Sequence, residues 1–220
     1  MALTKDNEFL EAAFDLGQWF ERHWKSVARG AGVFVVIAIL IALFFGFKQQ
    51  KIKQATRALE AGTAAFNKAA QSQFGDVDAM ADALVFFEEA EAKAGSSAPG
   101  PLATYYRGVT LYRLGRTEEA VEALEGFVAQ ADGEDPLDWA GRALLAQVYV
   151  DSGNTGRAIE LLEAVTGEDS EYPVEHALLQ LGLIQQQAGD TAAARKSWQR
   201  IVDEFGTSST AGQAMTLLGS

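Results

Sequence analysis

The chain has two histidines and thirty carboxylates, but no cysteine. Imidazole beside carboxylate is the usual material for proton transfer or for holding a divalent metal, and serine beside histidine for acyl transfer. The spacing assembles none of these. His23 lies just before a long apolar run and His176 is far along the chain, so a histidine-paired metal site is not expected. The nucleophile-elbow pattern GxSxG is absent, as are the phosphate-cradling loops GxGxxG and GxxxxGK[ST]. Carboxylate pairs such as Glu88–Glu89 and Glu118–Glu119 stand beside turns and read as solvated helix faces. Without cysteine, disulfides, thiolate metal sites and cysteine nucleophiles are excluded. The expectation is a protein that is not an enzyme, with no cofactor, no metal and no small-molecule substrate.

The charge distribution narrows the partners. The formal charge is -12, and residues 48–220 carry fourteen basic and twenty-five acidic side chains, whereas residues 1–29 carry four and five. A surface that negative repels phosphate backbones, so nucleic acid is not expected as a partner. Between Arg29 and Lys48 lie eighteen residues, GAGVFVVIAILIALFFGF, without a charge. As a helix they span roughly 27 Å, close to the hydrocarbon thickness of a bilayer. Twelve are Val, Ile, Leu or Phe, worth at most about 4–7 kcal/mol of insertion free energy. A cleaved signal peptide needs a shorter leader and a small-x-small site, and FFGFKQQKIK supplies none. Residues 30–47 are therefore expected to be a transmembrane helix. Flanking charge does not orient it: Arg22, Lys25 and Arg29 stand on one side, and Lys48, Lys51, Lys53 and Arg57 on the other. Ala38, Ala42 and Gly46, at four-residue spacing, form a candidate docking face for another membrane helix.

Residues 1–29 form a leader in which Phe9, Ala13, Leu16, Phe20 and Trp24 recur at helical spacing. An amphipathic helix lying on lipid and a helix docking a partner both fit that pattern.

Beyond the apolar run the sequence repeats itself. Gly108, Leu111, Gly115, Ala120 and Leu124 recur as Ala146, Tyr149, Gly153, Ala158 and Leu162, then as Gly182, Gln185, Gly189, Ala194 and Trp198, at intervals of 38 and 36 residues. The first position of each set lets two helices of a hairpin approach closely. The glycines at 115, 153 and 189 end the first helix in a left-handed conformation. The alanines supply the facing small side chain, and Leu124, Leu162 and Trp198 fill space between successive hairpins. Gln185 is the poor match. ADGEDP and TGEDSEYP supply links whose proline breaks the helix. Residues 48–95 read as a connecting helical hairpin through Leu59, Phe66, Leu84 and Phe87; Gly75 fits a degenerate repeat there and Lys68 does not. Residues 101–220 hold the repeats, with a closing helix near 208–219.

This pattern resembles the tetratricopeptide repeat, a helix-turn-helix unit of about 34 residues. The resemblance implies an all-α fold: an N-terminal transmembrane helix followed by an α-solenoid of stacked hairpins. It also implies a groove lined by first helices, at Tyr105, Val109, Tyr112 and Arg113, at Gln147 and Asp151, and at His176, Leu179, Leu183 and Gln187. Such a surface suits an extended peptide or a partner's helix; individually, Tyr105 or Leu179 could instead pack against the preceding hairpin. The whole plan, with FERHWKSVARGAGV running into the span and GDTAAARKSWQRIV in the last repeat, resembles the YfgM-like ancillary subunits of the SecYEG translocon. That likeness implies a bacterial inner-membrane protein with periplasmic repeats. Its implied partners are SecYEG, the membrane-bound chaperone PpiD and newly exported clients. A structural scaffold for assembly of a pilus, outer membrane or cell wall is the alternative.

Overall fold

Nine helices, and no strand, make up the residues that the computed structural model describes, 3–72, 76–131, 135–166 and 173–219. Contacts divide the chain into two units, Met1–Lys51 and Ile52–Ser220. Helix α1 (Leu3–Gln71) has its first part in one and its last part in the other.

In the first unit the backbone is helical from Leu3. The side chains of Phe9, Ala13, Leu16 and Phe20 lie outside the described residues, so the leader's stripe is not settled there. Over residues 33–47 every side chain is exposed, with Ile37 at 49% and Phe34 at 73%. A buried core helix would show the opposite. This is the one helix among the described residues long and apolar enough to cross a membrane. Ala38, Ala42 and Gly46 are exposed, and a Cβ added at Gly46 meets nothing within 4 Å.

The second unit is a stack of antiparallel hairpins. The end of α1 pairs with α2 (Val77–Ala94), then α3 (Pro99–Arg113) with α4 (Thr117–Val128), α5 (Pro136–Asp151) with α6 (Thr155–Ala164), and α7 (Val174–Gln187) with α8 (Thr191–Glu204). Helix α9 (Ser209–Leu218) closes the array against α8, with Ala211 and Ala214 fully buried and Ser208 Oγ accepting the Ala211 N–H to start it.

Each hairpin turns as the repeated glycines require. Gly115, Gly153 and Gly189 have φ of 73°, 78° and 87°. The next residue then donates back to the first helix: Arg116 N to Leu111 O, Asn154 N to Tyr149 O and Asp190 N to Gln185 O. Orphan carbonyls are thereby satisfied at the same place three times. Within a hairpin the two helices meet at the small position. A Cβ on Gly108 would lie 2.7 Å from Leu124, and one on Gly182 only 2.2 Å from the Trp198 indole. Ala120, Ala158 and Ala194 are completely buried.

The structure departs from the sequence expectation at three places. Leu124 and Trp198 sit first of all over the small residue of their own hairpin; Trp198 also reaches α9. The prolines open helices rather than end them: Pro136 is the first residue of α5, and Asp135 accepts the Leu137 N–H beside it. In the connecting hairpin Gly62, not Lys68, holds the close position, since a Cβ there would lie 2.6 Å from Phe87. Gly62 is nine residues from the end of α1 where Gly108 is five from the end of α3, so α1 runs a turn further and shifts the register.

Gln185 has a physical account. It is buried, and its Oε1 accepts the hydroxyl of buried Ser197 at 2.8 Å. A polar pair thus replaces the Tyr149–Leu161 pair of the repeat before it, and neither partner is left unsatisfied.

Candidate protein-binding groove

The first helices α3, α5 and α7 follow one another along the stack and touch in sequence. Their candidate residues fall into three groups.

The first group is joined by hydrogen bonds. The Tyr112 hydroxyl of α3 donates to Asp151 Oδ2 of α5, and Gln147 Nε2 donates to Asp151 Oδ1 at 3.0 Å. This carboxylate ties two neighbouring repeats together while Gln147 and Asp151 stay exposed. The Asp151 bond, and secondarily burial, raises the Tyr112 phenol above its ordinary value. The result is an anionic acceptor with an aromatic ring beside it.

In the second group Val109 and Arg113 pack toward the first hairpin, whereas Tyr105 packs within its own. Val109 packs against the cluster of Phe66, Ala69 and Phe87, and the Arg113 guanidinium lies over the Phe66 ring at 4.8 Å. Tyr105 is partly buried, its ring 5.7 Å from that of Phe127. Burial raises its pKa, with Tyr106 adding to the effect. Tyr105 and Val109 are partly buried, and Val109 together with Arg113, which stays exposed above Phe66, forms the junction with the first hairpin. Tyr106, which sequence reasoning passed over, is the centre of that junction, stacked on Phe87 at 5.2 Å and edge-on to Phe66 at 5.8 Å.

The third group lies on α7. His176, Leu183 and Gln187 are exposed, with Leu183 at 44%. Leu179 is partly buried against the cluster of Leu178 and Trp198. His176 Nδ1 lies 3.6 Å from Glu175. Gln180 joins α7 to α5 through its Nε2 bond to the Ala143 carbonyl at 2.8 Å. It was missed because a glutamine at that position carries no repeat signal.

A second missed constellation lies between hairpins. The Tyr149 hydroxyl donates to Glu125 Oε1 at 2.5 Å, Arg157 reaches the same oxygen at 2.9 Å, and the Arg157 guanidinium lies over the Tyr149 ring at 4.6 Å. Burial chiefly, and then the Glu125 bond, pushes the Tyr149 phenol up to about 12. Among the described residues no group of three His, Asp or Glu side chains is placed to hold a metal.

Hairpins of this length, turned at a left-handed glycine and stacked through repeated small residues, define a helical-repeat solenoid built for binding proteins. Tetratricopeptide repeat models match residues 81–136, 105–173 and 176–208, together more than half of the 220 residues. The chain belongs to the tetratricopeptide repeat family. The first match reaches back into α2, so the connecting hairpin shares the repeat pattern at least in part.

Solved structures agree on the fold. Nearly identical TPR-like repeats from Podosopora anserina are similar with a TM-score of 0.59 at 20% identity, over 74% of this chain and 84% of that one. A tetratricopeptide repeat protein from Parabacteroides merdae ATCC 43184 gives 0.59 at 16%, over 76% and 59%. MamA gives 0.54 at 18%, over 69% and 78%. No curated protein matches the chain.

Proposed function

We propose that this protein is a membrane-anchored, non-catalytic docking module whose repeats hold other proteins beside the bilayer. The observation that carries the binding half is the α3–α5–α7 surface, where Tyr112, Asp151, Gln147 and Leu183 offer hydrogen-bonding and apolar contacts on rigid helices. The anchoring half rests on the wholly exposed apolar run of α1, which water does not favour and lipid does.

Within that reading, the likeness of plan to YfgM-like subunits supports an ancillary role at the SecYEG translocon. The repeats would stand on the periplasmic side of a bacterial inner membrane and pass exported chains to PpiD-type chaperones. The test is protease access to sealed inner-membrane vesicles, with crosslinking in the same membranes. Repeats protected inside inverted vesicles and adducts with the translocon support the reading. Repeats digested on the cytoplasmic face overturn the topology, and adducts confined to an envelope-assembly complex favour the scaffold alternative.

A further inference from the structure

We propose that the chain carries a second binding site, away from the groove, in the cleft between α6, α7 and α8, which takes an arginine side chain of a partner polypeptide onto Glu163. The cleft has a volume of about 580 Å³, and none of the groove residues lines it.

The repeat itself identifies the occupant. One junction earlier, the equivalent space is filled from within by Tyr149 and Arg157, both bound to Glu125. Moved along by the repeat intervals, Glu125 becomes Glu163, Tyr149 becomes Gln185 and Arg157 becomes Ala193. All three of these line the cleft. The carboxylate is retained, while the aromatic ring and the guanidinium that neutralised it are gone. Gln185 does not replace them: its amide is neutral, its Oε1 accepts from Ser197, and among the described residues no hydrogen bond joins its Nε2 to Glu163. Glu163 is exposed and its carboxylate has no ion pair or hydrogen bond among the described residues.

The cations on the rim do not fill the role. Arg200 is bound to Glu204 at 2.7 Å and to the Thr166 carbonyl at 2.8 Å, and Lys196 makes no ion pair with Glu163. Arginine is favoured over lysine because its planar fork pairs with a carboxylate through two parallel N–H groups, whereas lysine offers a single point charge. The net charge of -11 over residues 48–220 also draws a cation in.

The test uses the full chain in detergent micelles and a fluorescein-labelled peptide, Ala-Tyr-Arg-Ala, read by anisotropy, with the neutral citrulline version as control. Saturable binding below about 1 mM is expected, at least ~10-fold weaker for citrulline and for Glu163→Gln. The double variant Gln185→Tyr/Ala193→Arg rebuilds the filled junction, so it should lose the peptide and melt at a higher temperature. No saturable binding, equal binding of the citrulline peptide, or unchanged binding by Glu163→Gln overturns the proposal; Glu163 is exposed, so that variant folds. Binding lost through Leu183→Glu but not Glu163→Gln would put the peptide in the groove instead, which removes this site and leaves the groove reading standing.

Discussion

Replacing Gly182 by alanine tests the close approach of α7 and α8. The new Cβ would lie 2.2 Å from Trp198 Nε1, 2.7 Å from Cδ1 and 2.9 Å from Cε2. Ordinary carbon contacts are about 3.5–4.0 Å, so the overlap exceeds an ångström. Trp198 is 1% exposed and enclosed by Leu178, Ile201 and α9, so the ring has nowhere to turn. Overpacking of this kind costs about 1–3 kcal/mol, while alanine regains up to about 1 kcal/mol of helix propensity. With so severe an overlap we expect a net loss of about 2 kcal/mol, a melting temperature lower by roughly 4–8 °C. Gly126→Ala, in α4 with nothing within 4 Å of its new Cβ, should gain about 0.5–1 kcal/mol. Repeat two naturally pairs alanine with leucine, at Ala146 and Leu162. Gly182→Ala/Trp198→Leu should therefore be less damaged than the two single losses combined, by at least about 1 kcal/mol. Urea unfolding followed by circular dichroism at 222 nm reads all four variants. Gly182→Ala unfolding like the parent would refute the close packing on which the repeat alignment rests.

Three further outcomes are expected. Ala158→Leu, at a completely buried position, should cost about 1–3 kcal/mol by thermal unfolding, and an unchanged melting curve would count against Ala158 as a facing residue. Tyr149 has a folded pKa of about 12, above its unfolded value near 10. Its proton is held more tightly in the native state, so its contribution is present below pH 10 and lost as pH rises toward 12; stability measured across that window should fall less steeply in Tyr149→Phe than in the parent. Removing residues 1–47 should release a soluble helical domain, checked by sedimentation with and without membranes, and persistent membrane binding would place the anchor elsewhere.

Much of the solenoid was legible because its steric rules act on residue type alone. A left-handed turn wants glycine and a helix crossing wants a small side chain, so Gly115, Gly153 and Gly189 declared themselves by spacing. A further small set was equally readable and was not read: Ala103, Gly141 and Ala177 recur at the same intervals, and Gly141 lies under Phe127 of the hairpin before it. The connecting hairpin was harder, because the extra turn of α1 moves Gly62 out of register. Least legible were interactions between repeats. Tyr112 with Asp151 and Tyr149 with Glu125 depend on how hairpins are rotated against each other, which no single repeat encodes. The groove suffered from the same gap. Val109 and Arg113 occupy groove positions by count, yet the first hairpin brings Phe66 onto them.

Proteins are expected to dock on the first-helix surface of the tethered repeat array. Photocrosslinking in intact membranes tests this, with a photoreactive residue placed at Tyr112 or Leu183 and, for comparison, at Glu122 or Glu160, exposed on α4 and α6. Adducts with translocon components or exported chains from the first pair, and not the second, are predicted. Equal adducts from both pairs, or none from Tyr112 and Leu183, would contradict it.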